Sequence, residues 1–243
     1  MKTLVIYRCC DAELQPSQFK HVRPSWFNKL KCFKSVWDEC NAGNPFLTDL
    51  IVVHDGAKRE LYEYISKKTN KIHKINYNSN NLSLYETFDI ADKYFNREPG
   101  GNPEYDVIHF IEDDFLVRPK FLHAMYYGTK AFGLTTGFDH LDRYKRTDDA
   151  TLGKEYVAFS MSTYCHWRTV ESTTCTWSCT RDMWKNISPT VRKHGLQDRE
   201  LFRDLYSQGI RLWSPIPGYS TTLDVNTLSP GIDWITVNHA VQL

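Results

Sequence analysis

Long apolar runs are missing from this chain: none approaches the ~20 residues a helix needs to cross a bilayer. Near its start, MKTLVIYRCC holds only four consecutive apolar or aromatic residues, Leu4–Tyr7, before Arg8. That is the pattern of a strand and not of a secretory leader. A dominant charge is missing as well. Over 243 residues the formal net charge is +1, so no global field draws the protein to nucleic acid or to an anionic membrane. The seven cysteines are odd in number and no two stand at C-x-x-C spacing, which supports neither a disulfide framework nor a structural zinc site. Reduced thiols in a soluble, cytoplasmic protein are the expectation. No G-x-G-x-x-G loop occurs, which argues against a dinucleotide dehydrogenase. No G-x-x-x-x-G-K-[ST] loop occurs either, which argues against a P-loop kinase or ATPase.

What the chain does have is a buried strand that ends in acid. In Tyr105–Lys120, YDVIHFIEDDFLVRPK, the residues Val107, Ile108, Phe110 and Ile111 form an apolar run broken only by His109. It is too short for a helix and rich in β-branched residues, so it reads as a strand covered on both faces, as in a parallel sheet between helices. Glu112, Asp113 and Asp114 follow at once. Open α/β sheets bind ligands beyond the carboxyl ends of their strands, and these acids lie there. Strand alternation sends Glu112 and Asp114 to one side and Asp113 to the other. Two carboxylates on one side suit a hard divalent cation, Mg²⁺ or Mn²⁺, whose shell substrate phosphates and water complete. Pro119 is placed in the first turn of a helix from about Lys120 to Phe132.

Taken in order, Thr3–Tyr7 is the first strand and Pro24 opens a helix to about Asn41, with Trp26, Phe27, Leu30, Phe33 and Trp37 on one face. Asp49–His54 is a second buried strand, followed by Asp55–Gly56 and a helix over Lys58–Lys68. Ile72–Ile75 is a short strand, and Ser83 caps a helix over Leu84–Phe95. The pattern to this point is β-α-β-α-β-α-β with parallel strands. Beyond the acids, Leu134–Phe138 and Tyr156–Met161 read as strands, Asp139–Lys154 as a charged loop, and Cys165–Cys179 as a segment ending in a strand. Arg181–Ile187 is a short helix, Gln197–Gln208 a longer one, and Ile210–Trp213 a strand. Pro215–Leu243 has few helix signals and is expected to wrap the domain. The fold class is α/β, a Rossmann-like, mostly parallel sheet flanked by helices. It forms a single domain over 1–243, with a nucleotide-sugar-binding half (1–118) and an acceptor-binding half with the wrapping tail (119–243).

A strand ending in EDD, placed after an Asp-Gly-bearing strand in a βα array, resembles the glycosyltransferases of the A fold class, the family-2-like group with a D-x-D motif. The resemblance covers about residues 1–215. It implies that Asp55, in Val52-Val53-His54-Asp55-Gly56-Ala57, contacts the nucleotide, with His54 standing where the family has a further acid. Glu112-Asp113-Asp114 matches D-x-D with Glu in first place. Asp114 is then the metal ligand, Glu112 faces the ribose or donor sugar and supports the metal, and Asp113 lies at the donor. The family's late acidic motif opening a helix matches Gln197-Asp198, so Asp198 is the expected acceptor base of an inverting transfer. A His that often gives the family a further metal ligand has no clear match: His239 lies far along the chain, and Thr221–Thr222 stands in that place. Arg168, with His166 beside it, is the candidate for the donor phosphates, since a guanidinium matches a phosphate bidentately.

The resemblance implies a nucleotide-sugar-dependent hexosyl- or pentosyltransferase, with Mn²⁺ or Mg²⁺ as cofactor and a UDP-, GDP- or dTDP-sugar as donor. The acceptor is a hydroxyl, by default on a glycan; virus-encoded enzymes of this type also modify hydroxylated DNA bases, for which the near-neutral charge gives no support. Two alternatives stand beside it. A non-catalytic nucleotide- or sugar-binding protein could use the same fold. A nucleotidyltransferase calls for a Gly-rich basic loop after the first strand, and Arg8–Leu14 has no Gly. Asp139, His140 and Asp142 read as a charged loop rather than a metal site. Cys165 and Cys175 with His166 lack the third group that would orient a cysteine nucleophile.

Overall fold

A computed structural model describes residues 2–11, 22–95, 105–144 and 158–243. The elements in chain order are β1 (Lys2–Cys10), α1 (Lys29–Asn41), β2 (Leu47–Asp55), α2 (Glu60–Ser66), β3 (Ile72–Ile75), α3 (Asn80–Phe95), β4 (Val107–Glu112), β5 (Phe115–Val117), α4 (Phe121–Phe132) and β6 (Leu134–Thr135). A 3₁₀ turn at Leu141–Tyr144 precedes β7 (Phe159–Met161), β8 (His166–Val170), β9 (Trp177–Thr180), α5 (Arg181–His194), α6 (Asp198–Ser207), β10 (Leu212–Ile216), β11 (Ser220–Thr222) and α7 (Trp234–Ala240). Nine strands form one sheet in the order β3-β2-β1-β4-β9-β6-β10-β8-β7. Within it β8 and β9 run against the other strands, so the sheet is mixed and mostly parallel. Among the described residues no helix is long and apolar enough to cross a membrane.

Strand alternation builds the two cores. On β1, Leu4 and Ile6 face α3, α5 and α6, while Val5 and Tyr7 face α1, α2 and α4. On β4, Ile108 and Phe110 take the first side, and Val107 and Ile111 the second. The acidic strand is thus covered on both faces, as its composition predicts. Phe110 meets Trp177, Trp184 and Phe88 with ring centroids at 4.6, 5.4 and 5.9 Å. Each such side chain contributes roughly 1.5–3 kcal/mol by leaving water. The chain runs β1-β2-β3 outward in one direction and then returns to place β4 on the other side of β1. The switch point of the sheet therefore lies between β1 and β4, where open α/β sheets leave a crevice at the strands' carboxyl ends.

Three helix starts are capped by carboxylates from outside the helix, and two of them, those of α2 and α3, lie at this end of the sheet. Asp11 accepts from the backbone N–H groups of Arg59, Leu61 and Tyr62 at the start of α2. Asp55 accepts from Asn78 and Ser79 ahead of α3, at 2.9 and 3.0 Å. Glu39, buried at the end of α1, accepts from Lys120 and Leu122 at the start of α4. Orphan donors at helix starts and the helix dipole both favour such anions.

Several boundaries differ from the sequence expectation. Helix α1 starts at Lys29 and not at Pro24, because the Asn28 side chain accepts from Leu30 and Lys31. Trp26 and Phe27 instead pack against the C-terminal segment. Helix α3 starts before Ser83, since Asp55 and Ser79 supply its caps. Pro119 stands outside α4, before Lys120, which takes a left-handed φ of 69°. Helix α5 runs on through Pro189 to His194, because Trp184, Ile187 and Val191 keep its buried stripe unbroken. β6 ends at Thr135, Tyr156 and the later part of the charged loop lie outside the described residues, and the last sheet strand spans Leu212–Ile216. In the tail, where helix signals are few, β11 pairs antiparallel with β5, and α7 buries Trp234 against Cys32, Leu116 and Leu223.

The closest backbone approach sets a test of this packing. A Cβ at Gly128 on α4 would stand 2.1 Å from the ring of Trp167, which is fully buried. Gly128→Ala is expected to destabilise the protein by about 1–3 kcal/mol, the usual cost of overpacking. Chemical denaturation of the two proteins measures it, and equal midpoints would show that α4 and β8 do not meet so closely.

Candidate active site

The register of β1 with β4 brings charge together. Arg8 lies directly opposite Glu112, and on the other side of β1, Cys10 lies opposite Asp55. The Arg8 guanidinium donates to Glu112 Oε1, to the Asn80 side chain, and to Asn80 O and Ser83 Oγ at 3.1 Å each. It ties the ends of two strands to the start of α3. Burial alone would lower the Arg8 pKa, but Glu112 beside it outweighs this and raises it. Burial pushes Glu112 up from the ordinary carboxylate value, Arg8 opposes, and Asp114 and Asp113 add to the rise.

Each of the other two acids also has a cation. Asp113 Oδ2 accepts from Lys29 Nζ at 3.0 Å and from the Cys10 N–H at 2.9 Å. Burial alone would lower the Lys29 pKa; Asp113 outweighs it and holds the ammonium firmly protonated. Asp114 Oδ2 accepts from Arg23 Nη1 at 2.9 Å and from the Thr222 hydroxyl at 3.1 Å, and Asp114 O accepts from Leu223 N–H at 2.9 Å. The Thr221–Thr222 segment is thus brought to the acidic edge, carrying a hydroxyl. His239 lies on α7 and is exposed.

Asp198 is brought to the same place. Gly195 closes α5 with φ of +56°, a conformation that favours glycine, and the turn lets α6 begin at Asp198. Leu201, Phe202 and Leu205 anchor α6 in the core. Cys175 Sγ donates to Asp198 Oδ1 at 3.4 Å. Loss of water around the carboxyl raises the Asp198 pKa to about 8, the Glu112 carboxylate adds to the rise, and the Cys175 bond and Arg8 oppose it. A carboxyl in that range is a base poised near neutral pH.

The remaining expected residues stand elsewhere. Asp55 reaches the edge, but its carboxylate is 3% exposed and both oxygens hold the backbone before α3. Arg168 and His166 are not brought to the acids. Three strands, β9, β6 and β10, lie between β8 and β4. The Arg168 guanidinium is engaged by buried Asp139 at 2.5 Å and by the Tyr144 ring at 4.6 Å, and His166 faces solvent. The cations at the acidic edge are instead Arg8, Lys29 and Arg23. Arg8 carried a signal, since it directly follows the apolar run of the first strand as Glu112 follows that of the fourth. Arg23 and Lys29 carry no such signal, because a loop brings them there. His54 pairs through Nε2 with Asp11 Oδ2 at 2.8 Å and so belongs to the α2 cap. A groove of about 330 Å³ lined by Pro24, Trp26, Val225 and Trp234 opens beside Arg23, whereas one of about 340 Å³ along β3 lies away from the acids.

The donor atoms here fit a hard divalent cation in kind: two carboxylates, Glu112 and Asp114, and the Thr222 hydroxyl. Among the described residues no group of three or more His, Cys, Asp and Glu could hold an ion by itself. Mg²⁺ ordinarily takes one or two protein carboxylates and draws further oxygens from substrate phosphates and water.

The Asp198 environment has a pH signature. A raised carboxyl contributes stability that is complete below its unfolded pKa of ~4 and is lost as pH rises through the folded value of about 8. Asp198→Asn cannot ionise. Its melting temperature relative to wild type is expected to climb steadily between pH 5 and pH 9, and thermal scans across that range check it. A constant difference would mean that Asp198 titrates as an ordinary surface carboxylate.

No family model matches the chain, and no curated protein matches it. Solved structures do. A mycobacterial protein is similar at 10% identity and TM-score 0.50, over 88% of this chain and 65% of that one. Staphylococcus aureus TarS 1–349 is similar at 13% identity and TM-score 0.49, over 90% of this chain and 60% of that one. CMP:2-keto-3-deoxy-manno-octonic acid synthetase complexed with CTP is similar at 12% identity and TM-score 0.48, over 88% and 89%. The chain therefore spans less than two thirds of the mycobacterial protein and of TarS. The likeness is one of fold, a mostly parallel sheet between helices with its switch point beside β1.

Proposed function

We propose that the protein is a glycosyltransferase that moves a sugar from a nucleoside-diphosphate sugar to a hydroxyl acceptor with inversion. One observation carries this reading: Asp198, which opens α6 and accepts from Cys175 Sγ at 3.4 Å, is buried near Glu112 at the switch point of a GT-A-like sheet, and that burial holds its carboxyl above the ordinary range. Inverting transfer needs a base for the acceptor hydroxyl across from a site for the departing diphosphate. Asp198 supplies the base, and the acidic edge with its three cations supplies the site for the leaving group.

In this reading Asp114 and Glu112 hold Mn²⁺ or Mg²⁺. Bound there, the ion supplies Lewis-acid neutralisation of charge on the leaving diphosphate. Asp113 fixes Lys29 at the same place, and Asp55 sets the Asn78–Ser79 loop that borders the nucleoside. The donor is a UDP-, GDP- or dTDP-sugar and the acceptor a glycan hydroxyl. A second reading, a nucleotide- or sugar-binding protein without catalysis, draws on the fact that each of the three acids is ion-paired. Donor hydrolysis with Mn²⁺ separates the two: slow release of free sugar belongs to the transferase alone.

Two variants test the assigned roles. Asp198→Asn should lower single-turnover transfer by about 10²–10⁴-fold, the range of lost general-base catalysis, while donor affinity stays near wild type. Loss of both would make Asp198 a structural residue. Asp114→Asn should remove the dependence of donor binding on divalent cation, read by calorimetric titration with Mn²⁺ and with chelator. A variant that still binds donor more tightly with Mn²⁺ would take the metal role from Asp114.

A further inference from the structure

The three cations at the acidic edge are held differently. Arg8 is locked by α3 as well as by Glu112. Lys29 is tied to Cys10 O at 3.0 Å as well as to Asp113. Arg23 comes from the segment before α1, and its side chain is the most exposed of the three, at 20% against 15% and 10%. It bridges Asp114 Oδ2 and Leu223 O while lying 4.7 Å over the Phe27 ring. The oxygen that a metal ion on Asp114 would use is therefore covered by the protein's own cation. Two cations on one carboxylate oxygen repel strongly unless an anion stands between them. A diphosphate is such an anion, and a guanidinium matches its oxygens bidentately.

We propose that Arg23 is an exchangeable counter-ion, which neutralises Asp114 before the donor binds and transfers to the donor diphosphate when a divalent cation takes Asp114. This rests on the donor and metal roles given above. It makes metal and diphosphate bind co-operatively, each favouring the other by the same factor. It also gives Arg23 opposite effects on the two ligands: it competes with the metal and supports the phosphate. A side chain that only braced the loop would weaken both or neither.

The test uses the full chain, with Arg23→Met and Arg23→Lys checked for folding by thermal melting. Mn²⁺ binding to the protein alone is read from the electron paramagnetic resonance of the free ion. Binding of UDP, GDP and dTDP in Mn²⁺ is read by calorimetry. Arg23→Met is expected to bind Mn²⁺ alone about tenfold more tightly and the preferred nucleoside diphosphate at least about tenfold more weakly. Arg23→Lys keeps the charge without the fork, so Mn²⁺ affinity should stay near wild type while diphosphate affinity falls. If Arg23→Met does not fold, Arg23→Lys decides, and parallel change in both affinities, or none, overturns the proposal. Nucleoside diphosphate that binds wild type equally with and without Mn²⁺ overturns it too, leaving the donor reading intact. A wild-type protein that binds none of the three nucleotides overturns the donor reading together with the proposal.

Discussion

The parallel pairing of β1 with β4 is the constraint on which the rest of this edge depends, because it sets Arg8 beside Glu112 where the run β3-β2-β1 turns back to β4. A buried ion pair adds little net stability, since desolvation offsets the attraction, yet removing one partner strands the other. The pair is better understood as a positioning device. Arg8 joins two strand ends to the start of α3, and Glu112, held there, shapes the field in which Asp198 sits. A one-residue slip of β4 would turn its whole apolar set over and carry the acids away from Arg8.

The helix ends at this edge complete the electrostatic design. A helix N-terminus at the mouth of an α/β sheet is ordinarily a ready anion site. Here the starts of α2 and α3 are filled by Asp11 and Asp55. Their N–H groups are engaged within the protein, so attraction for a phosphate falls to side-chain cations, and among the described residues these are Arg8, Lys29 and Arg23. His54 fits the same arrangement, because a carboxylate at that position would crowd like charges beside Asp11 where a ring nitrogen forms a bond.

Much of this was legible in the sequence, and the limits have physical causes. The run Val107–Ile111 announced a strand buried on both faces, and the acids after it announced the edge. Asp198 was legible because Gly195 and the apolar spacing of α6 fix where a helix starts. Arg168 misled because residue type alone favours a phosphate role, while its partner Asp139 lies far off in sequence and next to it in space. Arg23 and Lys29 were invisible for the same reason: their contacts with Asp114 and Asp113 span more than eighty residues, and no periodicity records them. Pro189 misled in the other direction, since local propensity yields to a stripe of core side chains on either side of it.

The pairing of β11 with β5 also orders events during synthesis. Asp114 takes its hydroxyl and backbone partners from Thr222 and Leu223, and Val22 and Arg23 take theirs from Leu223 to Val225. A ribosome that has released the first two hundred residues has made every acid of the edge but none of the segment that holds Asp114 and Arg23 in place. Nascent chains therefore expose an acidic, incompletely braced crevice until the late strand docks, and the site matures as one of the last steps of folding rather than with the sheet that carries it.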